Sequence, residues 1–104
     1  EGMTQQLQEF IYTSEDFKKK SEKLAQSIEI NSVLLSDSSV EKAGQRNIVL
    51  GKLCRQAAQA KEAGNAMEMA MQNLEKELVA VKDRQYQQQK QMQQSIGQER
   101  GDGR

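Results

Sequence analysis

The chain contains no histidine, proline or tryptophan, and it has a single cysteine among its 104 residues. Without histidine it lacks the commonest general base and metal ligand, so the thiol of Cys54 has no imidazole to activate it. No glycine-rich phosphate loop is visible either, because the glycines lie within helical patterns or near the C-terminal end. These absences predict a protein that is not an enzyme and that has no catalytic, cofactor or metal site.

Charge of one sign and long apolar runs are also missing. The 15 basic and 15 acidic residues cancel, so no net positive charge favours nucleic acid. The one basic cluster, Lys18–Lys20, lies among Glu15, Asp16 and Glu22, which is typical of a solvated helix surface. No apolar run approaches the ~20 residues that span a bilayer. A lone cysteine cannot form an internal disulfide. We therefore expect no nucleic acid partner, no membrane span and a cytoplasmic location.

The sequence does contain apolar residues at alternating steps of three and four. This is the spacing of a heptad seam, the stripe that one helix presents to another in a coiled coil. Cys54 lies beside one such seam, where a small thiol is expected to be packed in the core. That seam comprises Leu50, Leu53, Ala57, Ala60, Gly64, Met67, Met71, Leu74, Leu78 and Val81. An earlier one comprises Met3, Leu7, Phe10, Ser14, Phe17, Ser21, Leu24, Ile28, Asn31 and Leu35.

Four turn-forming residues at positions 36–39 separate the two seams. Ser38 and Glu41 match a capping box, which predicts that a second helix begins near Val40. Because so short a connection makes the helices antiparallel, the sequence predicts an all-α fold, a long antiparallel helical hairpin of the coiled-coil type. Helix one should cover about residues 3–35 and helix two about 40–95, with a flexible tail over 96–104.

Two alternatives to this hairpin remain open at the level of sequence. Thr13 or Ser14 could cap a later start of helix one, because acidic residues follow them. A break at Gly64-Asn65 would give a three-helix bundle, since glycine costs ~1 kcal/mol in a helix interior. The seam keeps its phase through Gly64, which favours a continuous helix.

The turn also sets which residues should face each other. If the chain reverses between positions 37 and 38, the numbers of facing residues add up to about 75 by the geometry of an antiparallel pair. Phe17 would then lie near Ala57 and Ala60, and Phe10 near Gly64, with bulky side chains against small ones. Helix one would end opposite Gln72, so the apolar residues beyond it, among them Leu74, Leu78, Val81 and Met92, would have no partner within the chain.

These unmatched residues, with an apolar group at the loop end, predict a surface for another helix. The expected function is a non-enzymatic coiled-coil interaction or scaffold protein that partners a protein, either itself or another helical protein. A homodimer or a hetero-complex would complete a four-helix bundle. A small helical chaperone is the alternative, because the side chains of Met67, Met69 and Met71 adapt easily to a client. The predicted partner-binding residues are Met71, Leu74, Leu78, Val81, Ile30, Leu34, Ile48 and Val49.

Overall fold

The computed structural model describes the backbone of residues 2–102 and the side chains of residues 2–93. Over this range the chain is helical and contains no strand. Helix α1 covers Gly2–Ile30, a short helix α2 covers Ser32–Ser36, a single 3₁₀ turn covers Val40–Lys42, and helix α3 covers Ala43–Asp102. Helix α1 packs along the first part of α3, as far as Glu77, and residues 82–93 of α3 are exposed. The prediction of an all-α helical hairpin is confirmed.

Both long helices are uninterrupted where the sequence left a break open. Helix α1 passes through Thr13 and Ser14 without a new start. Helix α3 passes through Gly64 and Asn65, which excludes the three-helix bundle. Its backbone continues to Asp102, beyond the end predicted near residue 95, and residues 103 and 104 lie outside the described part of the chain. The predicted flexible tail, residues 96–104, thus has helical backbone over residues 96–102. Its flexibility stays a prediction.

The turn is built differently from the predicted capping box. No side-chain hydrogen bond caps the 3₁₀ turn, whose N-cap is Ser39 instead of Ser38. The backbone N–H of Ser39 donates to Oδ1 of Asp37 at 2.8 Å, and a guanidinium N–H of Arg46 donates to the carbonyl oxygen of Ser39 at 2.7 Å. Lys42 lies 3.5 Å from the Asp37 carboxylate. An Asx-type turn held by Asp37 thus reverses the chain.

Helix one also ends earlier than predicted, at Ile30 instead of about residue 35. Asn31 has φ −101° and ψ 12°, outside the helical range, and its side-chain amide donates to the carbonyl oxygen of Ser27 at 2.7 Å. Asparagine side chains compete in this way with the backbone hydrogen bonds of a helix. The chain then resumes as the short helix α2 before it turns.

Two close approaches between the helices give their register. A Cβ atom at Gly64 would lie 3.0 Å from Cε1 of Phe17, and one at Gly2 would lie 3.1 Å from the Glu77 carboxylate. The numbers of facing residues therefore add up to about 80, and the predicted value of 75 is wrong. The reversal is centred near Val40, because the 3₁₀ turn belongs to the connection as well. Gly64 does make room for a phenylalanine, but the phenylalanine is Phe17 and not Phe10.

The buried seam uses a different flank of each helix from the predicted one. Burial on α1 recurs at Phe10, Thr13, Phe17 and Ser27, and on α3 at the positions from 53 to 74 in steps of three and four. We label these heptad positions a and d. The a positions agree with the predicted seams, but d replaces the predicted e position throughout. The core positions are Met3, Gln6, Phe10, Thr13, Phe17, Lys20, Leu24, Ser27, Asn31 and Leu34 on one side, and Arg46, Val49, Leu53, Gln56, Ala60, Ala63, Met67, Ala70, Leu74, Glu77 and Val81 on the other.

Small side chains explain why the hairpin closes on this flank. In the observed register Phe10 shares a layer with Ala70, and Phe17 shares one with Ala63; both alanines are buried. Bulky rings against alanines allow the two backbones to approach closely. The polar Thr13 is tolerated in this seam because its hydroxyl donates to the carbonyl oxygen of Glu9 at 2.8 Å.

Candidate interaction surface

Packing through a and d leaves the e position of both helices at the edge of the hairpin. On α1 and α3 these are the flanks that the sequence placed inside the seam. We call them together the open face. It consists of Leu7, Ser14, Ser21, Ile28 and Leu35 from the first half of the chain, and Leu50, Ala57, Gly64, Met71 and Leu78 from the second.

The two rows of the open face lie on the same side of the molecule. In an antiparallel helix pair, equivalent flanks of the two seams meet, because reversing one helix keeps its e side beside the e side of the other. The opposite side carries the g positions and is mainly polar; the apolar residues there are Ala66, Ala80 and, at the loop end, Ile30. Its residues include Glu9, Asp16, Lys23, Gln45, Lys52, Gln59 and Asn73. The hairpin therefore has one apolar side and one polar side.

The larger side chains of the open face are about half covered. Leu7, Ile28, Leu50, Met71 and Leu78 retain 39–47% of their exposure. The apolar residues of each helix lie mainly at a and e, whereas the d positions buried in the hairpin are mostly polar or small, so one partner helix covers only part of the apolar stripe. The structure thus leaves an elongated apolar surface that two helices do not close.

The size of the side chains on the open face changes along the hairpin. Leu7, Met71 and Leu78 lie towards the N-terminal end of α1, and Ile28, Leu35 and Leu50 lie towards the loop. Between these two groups the residues are small, namely Ser14, Ser21, Ala57 and Gly64. The open face is therefore low at its centre and raised at both ends.

The predicted partner-binding residues fall into three environments. Met71 and Leu78 lie on the open face. Leu74 is only 9% exposed and is a core residue of the hairpin, so the expectation that it lacks a partner within the chain is wrong. Val81, Leu34 and Val49 are half-buried at seam positions. Leu74 has a partner because the observed register extends the part of α3 that faces α1 by about one and a half turns beyond the predicted end.

Ile30 and Ile48, the remaining predicted residues, are 80% and 75% exposed near the loop. Val33 and Val40 are exposed there too, but Ile30 lies at a g position and Ile48 at a c position. They therefore surround the loop end without forming one surface with the open face. The structure therefore does not bring the predicted residues of the far half of helix two together with those near the loop.

Leu7, Ile28, Leu35 and Leu50 are surface residues that the sequence reasoning assigned to the interior. A signal for them existed, because an apolar e position beside an a/d seam predicts a wide stripe. Cys54 is likewise exposed, not packed in the core. Its b position borders the open face.

Among the described residues, Asp37 at the turn has a pKa that its surroundings lower. At the turn, the backbone N–H of Ser39 and then its side chain hold the pKa of Asp37 below its usual 3.8, with a smaller contribution from Lys42. Among the described residues no three histidine, cysteine, aspartate or glutamate side chains cluster as metal ligands would. In that same part of the chain no helix has both the length and the apolarity to cross a membrane.

Comparison of the chain with protein-family models, with curated proteins and with solved structures finds no match.

Proposed function

We propose that this protein is a non-enzymatic assembly protein, a helical hairpin that contributes two helices to a larger bundle through its open face. The observation that carries the proposal is the separation of the two sides of the hairpin. Mainly apolar e positions occupy one side of both helices, with serine at two of them, and mainly polar g positions occupy the other. A solvated monomer would gain nothing from such a division.

The energy available to an assembling partner follows from the exposure of these side chains. Full burial of a leucine, isoleucine or methionine side chain is worth ~1.5–3 kcal/mol. Since the large open-face residues are already about half covered, covering the rest is worth roughly half of that for each. Each of them should therefore affect the stability of the assembled protein measurably.

Two methionines of the same helix provide a matched test. Met71 lies on the open face and is 47% exposed, whereas Met69 lies at a c position, is 65% exposed and points away from it. In the assembled protein, Met71→Gln should lower the free energy of unfolding by ~1 kcal/mol, and Met69→Gln should leave it within ~0.5 kcal/mol of the wild type. Urea unfolding followed by circular dichroism, at two widely different protein concentrations, measures both effects.

For a bundle of identical chains, the proposal predicts that the unfolding midpoint rises with protein concentration, because association stabilises the folded state by mass action. Equal, negligible effects of the two substitutions, with a midpoint independent of concentration, would contradict it.

The chaperone alternative draws no support from the methionines. Met67 is half-buried in a core layer, Met69 points outwards, and Met71 alone lies on the open face. They provide no continuous surface for a client. A cytoplasmic location stays a prediction.

A further inference from the structure

We infer that the occupant of the open face is a second copy of this chain, related by a two-fold axis that crosses the helices at the level of Gly64, so that the two hairpins lie antiparallel. This inference rests on the proposed function, since it names the partner of the same surface.

The first argument is that the open face is symmetric about one level. On α3 its five residues run from Leu50 to Leu78 and are centred on Gly64. On α1 the four from Leu7 to Ile28 are centred at position 17.5. Because Phe17 contacts Gly64, both centres lie at nearly the same height of the hairpin. A two-fold axis perpendicular to the helices at that height maps these two sets of residues onto themselves, and Leu35, which lies on α2 beyond the end of α1, has no counterpart.

The second argument is the match of side-chain sizes under this operation. Leu50 comes opposite Leu78 of the second copy, and Leu7 comes opposite Ile28 of the second copy. The small central residues meet each other, with Gly64 on the axis. Helices that pack ridges into grooves cross at an angle, so two crossed hairpins approach most closely at the middle, where the residues are small, and the large residues fill the wider gap at the ends.

The third argument is charge, which distinguishes this axis from a two-fold axis parallel to the helices. The parallel axis would also bring large residues opposite large ones and small residues opposite small ones. The b positions border the open face, and their charged residues are Lys18 on α1 and Lys61, Glu68, Glu75 and Lys82 on α3. Neither axis places Glu75 or Lys82 opposite a charged b position. The perpendicular axis places Lys61 opposite Glu68 of the second copy, twice, and Lys18 opposite its own copy once. The parallel axis instead places Lys18 opposite Lys61 of the second copy, twice.

Charge therefore favours the antiparallel arrangement, with two opposite-charge contacts against one like-charge contact. Lys61 and Glu68 are both exposed, and among residues 2–93 neither forms an ion pair within its own chain. Each remains available to a second copy.

The exposed native cysteine allows the arrangement to be measured directly. A spin label on Cys54 lies ten residues from the proposed axis, so the two labels of a dimer are separated by ~30 Å along the helices. In a Cys54→Ser background, Lys61→Cys brings the labels to ~10 Å along the axis, and Asn47→Cys moves them to ~50 Å. All three sites are b positions, so the sideways offset is the same.

Pulsed electron paramagnetic resonance on the full chain should thus report a distance that rises by ~3 Å for each residue from position 61 to position 47. A distance that stays constant across the three sites would overturn the antiparallel dimer and favour the parallel one, while leaving the open face as the contact. Absence of any dipolar coupling in a chain that sediments as a folded monomer would overturn both the dimer and the proposed function.

Discussion

Replacing Gly64 by alanine tests the closest packing contact between the two long helices. The new Cβ atom would lie 3.0 Å from Cε1 and 3.3 Å from Cδ1 of Phe17, well inside the 3.5–4.0 Å at which carbon atoms attract each other best. Alanine is favoured over glycine by ~1 kcal/mol inside a helix. Forcing an extra carbon into a packed contact costs ~1–3 kcal/mol. We therefore expect Gly64→Ala to be neutral or to destabilise by up to ~2 kcal/mol.

Gly51 is the matched control, because it lies inside the same helix and a Cβ atom there meets nothing closer than 3.8 Å, the guanidinium of Arg55. Gly51→Ala should raise the free energy of unfolding by the full ~1 kcal/mol. Equilibrium urea unfolding at one fixed protein concentration, followed by circular dichroism, measures both variants.

A double-mutant cycle then identifies the cause. In a Phe17→Leu background the ring edge is gone, so Gly64→Ala should recover a gain close to that of Gly51→Ala, a coupling of ~1–3 kcal/mol with Phe17. Equal gains for the two alanine substitutions in the wild-type background would refute the register. A loss that persists without the ring would place the clash on the open face instead.

Three further predictions, made with four variants, concern the core and the turn. Gln56→Leu should raise the free energy of unfolding by ~1–2 kcal/mol, because Oε1 of Gln56 is buried and has no hydrogen-bond partner among the described residues; a urea midpoint at or below that of the wild type would contradict this. Leu74→Ala should destabilise by ~2–5 kcal/mol and Val79→Ala by less than ~0.5 kcal/mol, since the first is a core residue and the second is half-exposed on the outer side; similar losses in thermal melts would place Leu74 on the surface. The pKa of Asp37 is lowered in the folded state, so the stabilisation by its carboxylate is present above pH ~4 and is lost as the pH falls through the folded value. Asp37→Asn should therefore melt below the wild type at neutral pH and match it in acid, and a gap that persists in acid would exclude the charge as its cause.

The sequence was sufficient for the class of fold. Apolar steps of three and four, a four-residue turn and the unbroken phase through Gly64 predicted two long antiparallel helices, and the structure has them. The a positions, including Phe10 and Phe17, were also identified correctly. These features are local, because each can be read from a single helix or a single turn.

The second flank of each seam could not be predicted in the same way. A seam at a and d and a seam at a and e both follow alternating steps of three and four, so the spacing alone does not distinguish them. On both helices the e positions are more apolar than the d positions, which led to the prediction of a seam at a and e. The hairpin buries the flank with Ala63 and Ala70 instead, because small residues there accommodate the phenylalanines of the other helix. That choice depends on the register between helices, which an Asx turn and a 3₁₀ turn shifted.

The same misassignment concealed the candidate surface. Because Leu7, Ile28 and Leu50 were predicted to be hairpin core, the predicted partner-binding residues lay at the far end of helix two and near the loop. The open face exists because the hairpin leaves the e positions of both helices outside its core on the same side, and that depends on which flank of each helix is buried. Apolar residues at e beside those at a already indicate a stripe that one neighbouring helix does not cover.

The claim that the open face is an assembly surface is tested most directly by the mass of the protein in solution. Sedimentation equilibrium should give the wild type twice the mass of one chain. Leu50→Lys places a charge on the open face and should give the mass of one chain, whereas Gln59→Lys adds the same charge to the polar side of the same helix and should keep the mass of two. A wild type that is folded at the mass of one chain, or a Leu50→Lys variant that keeps the mass of two, would contradict the account.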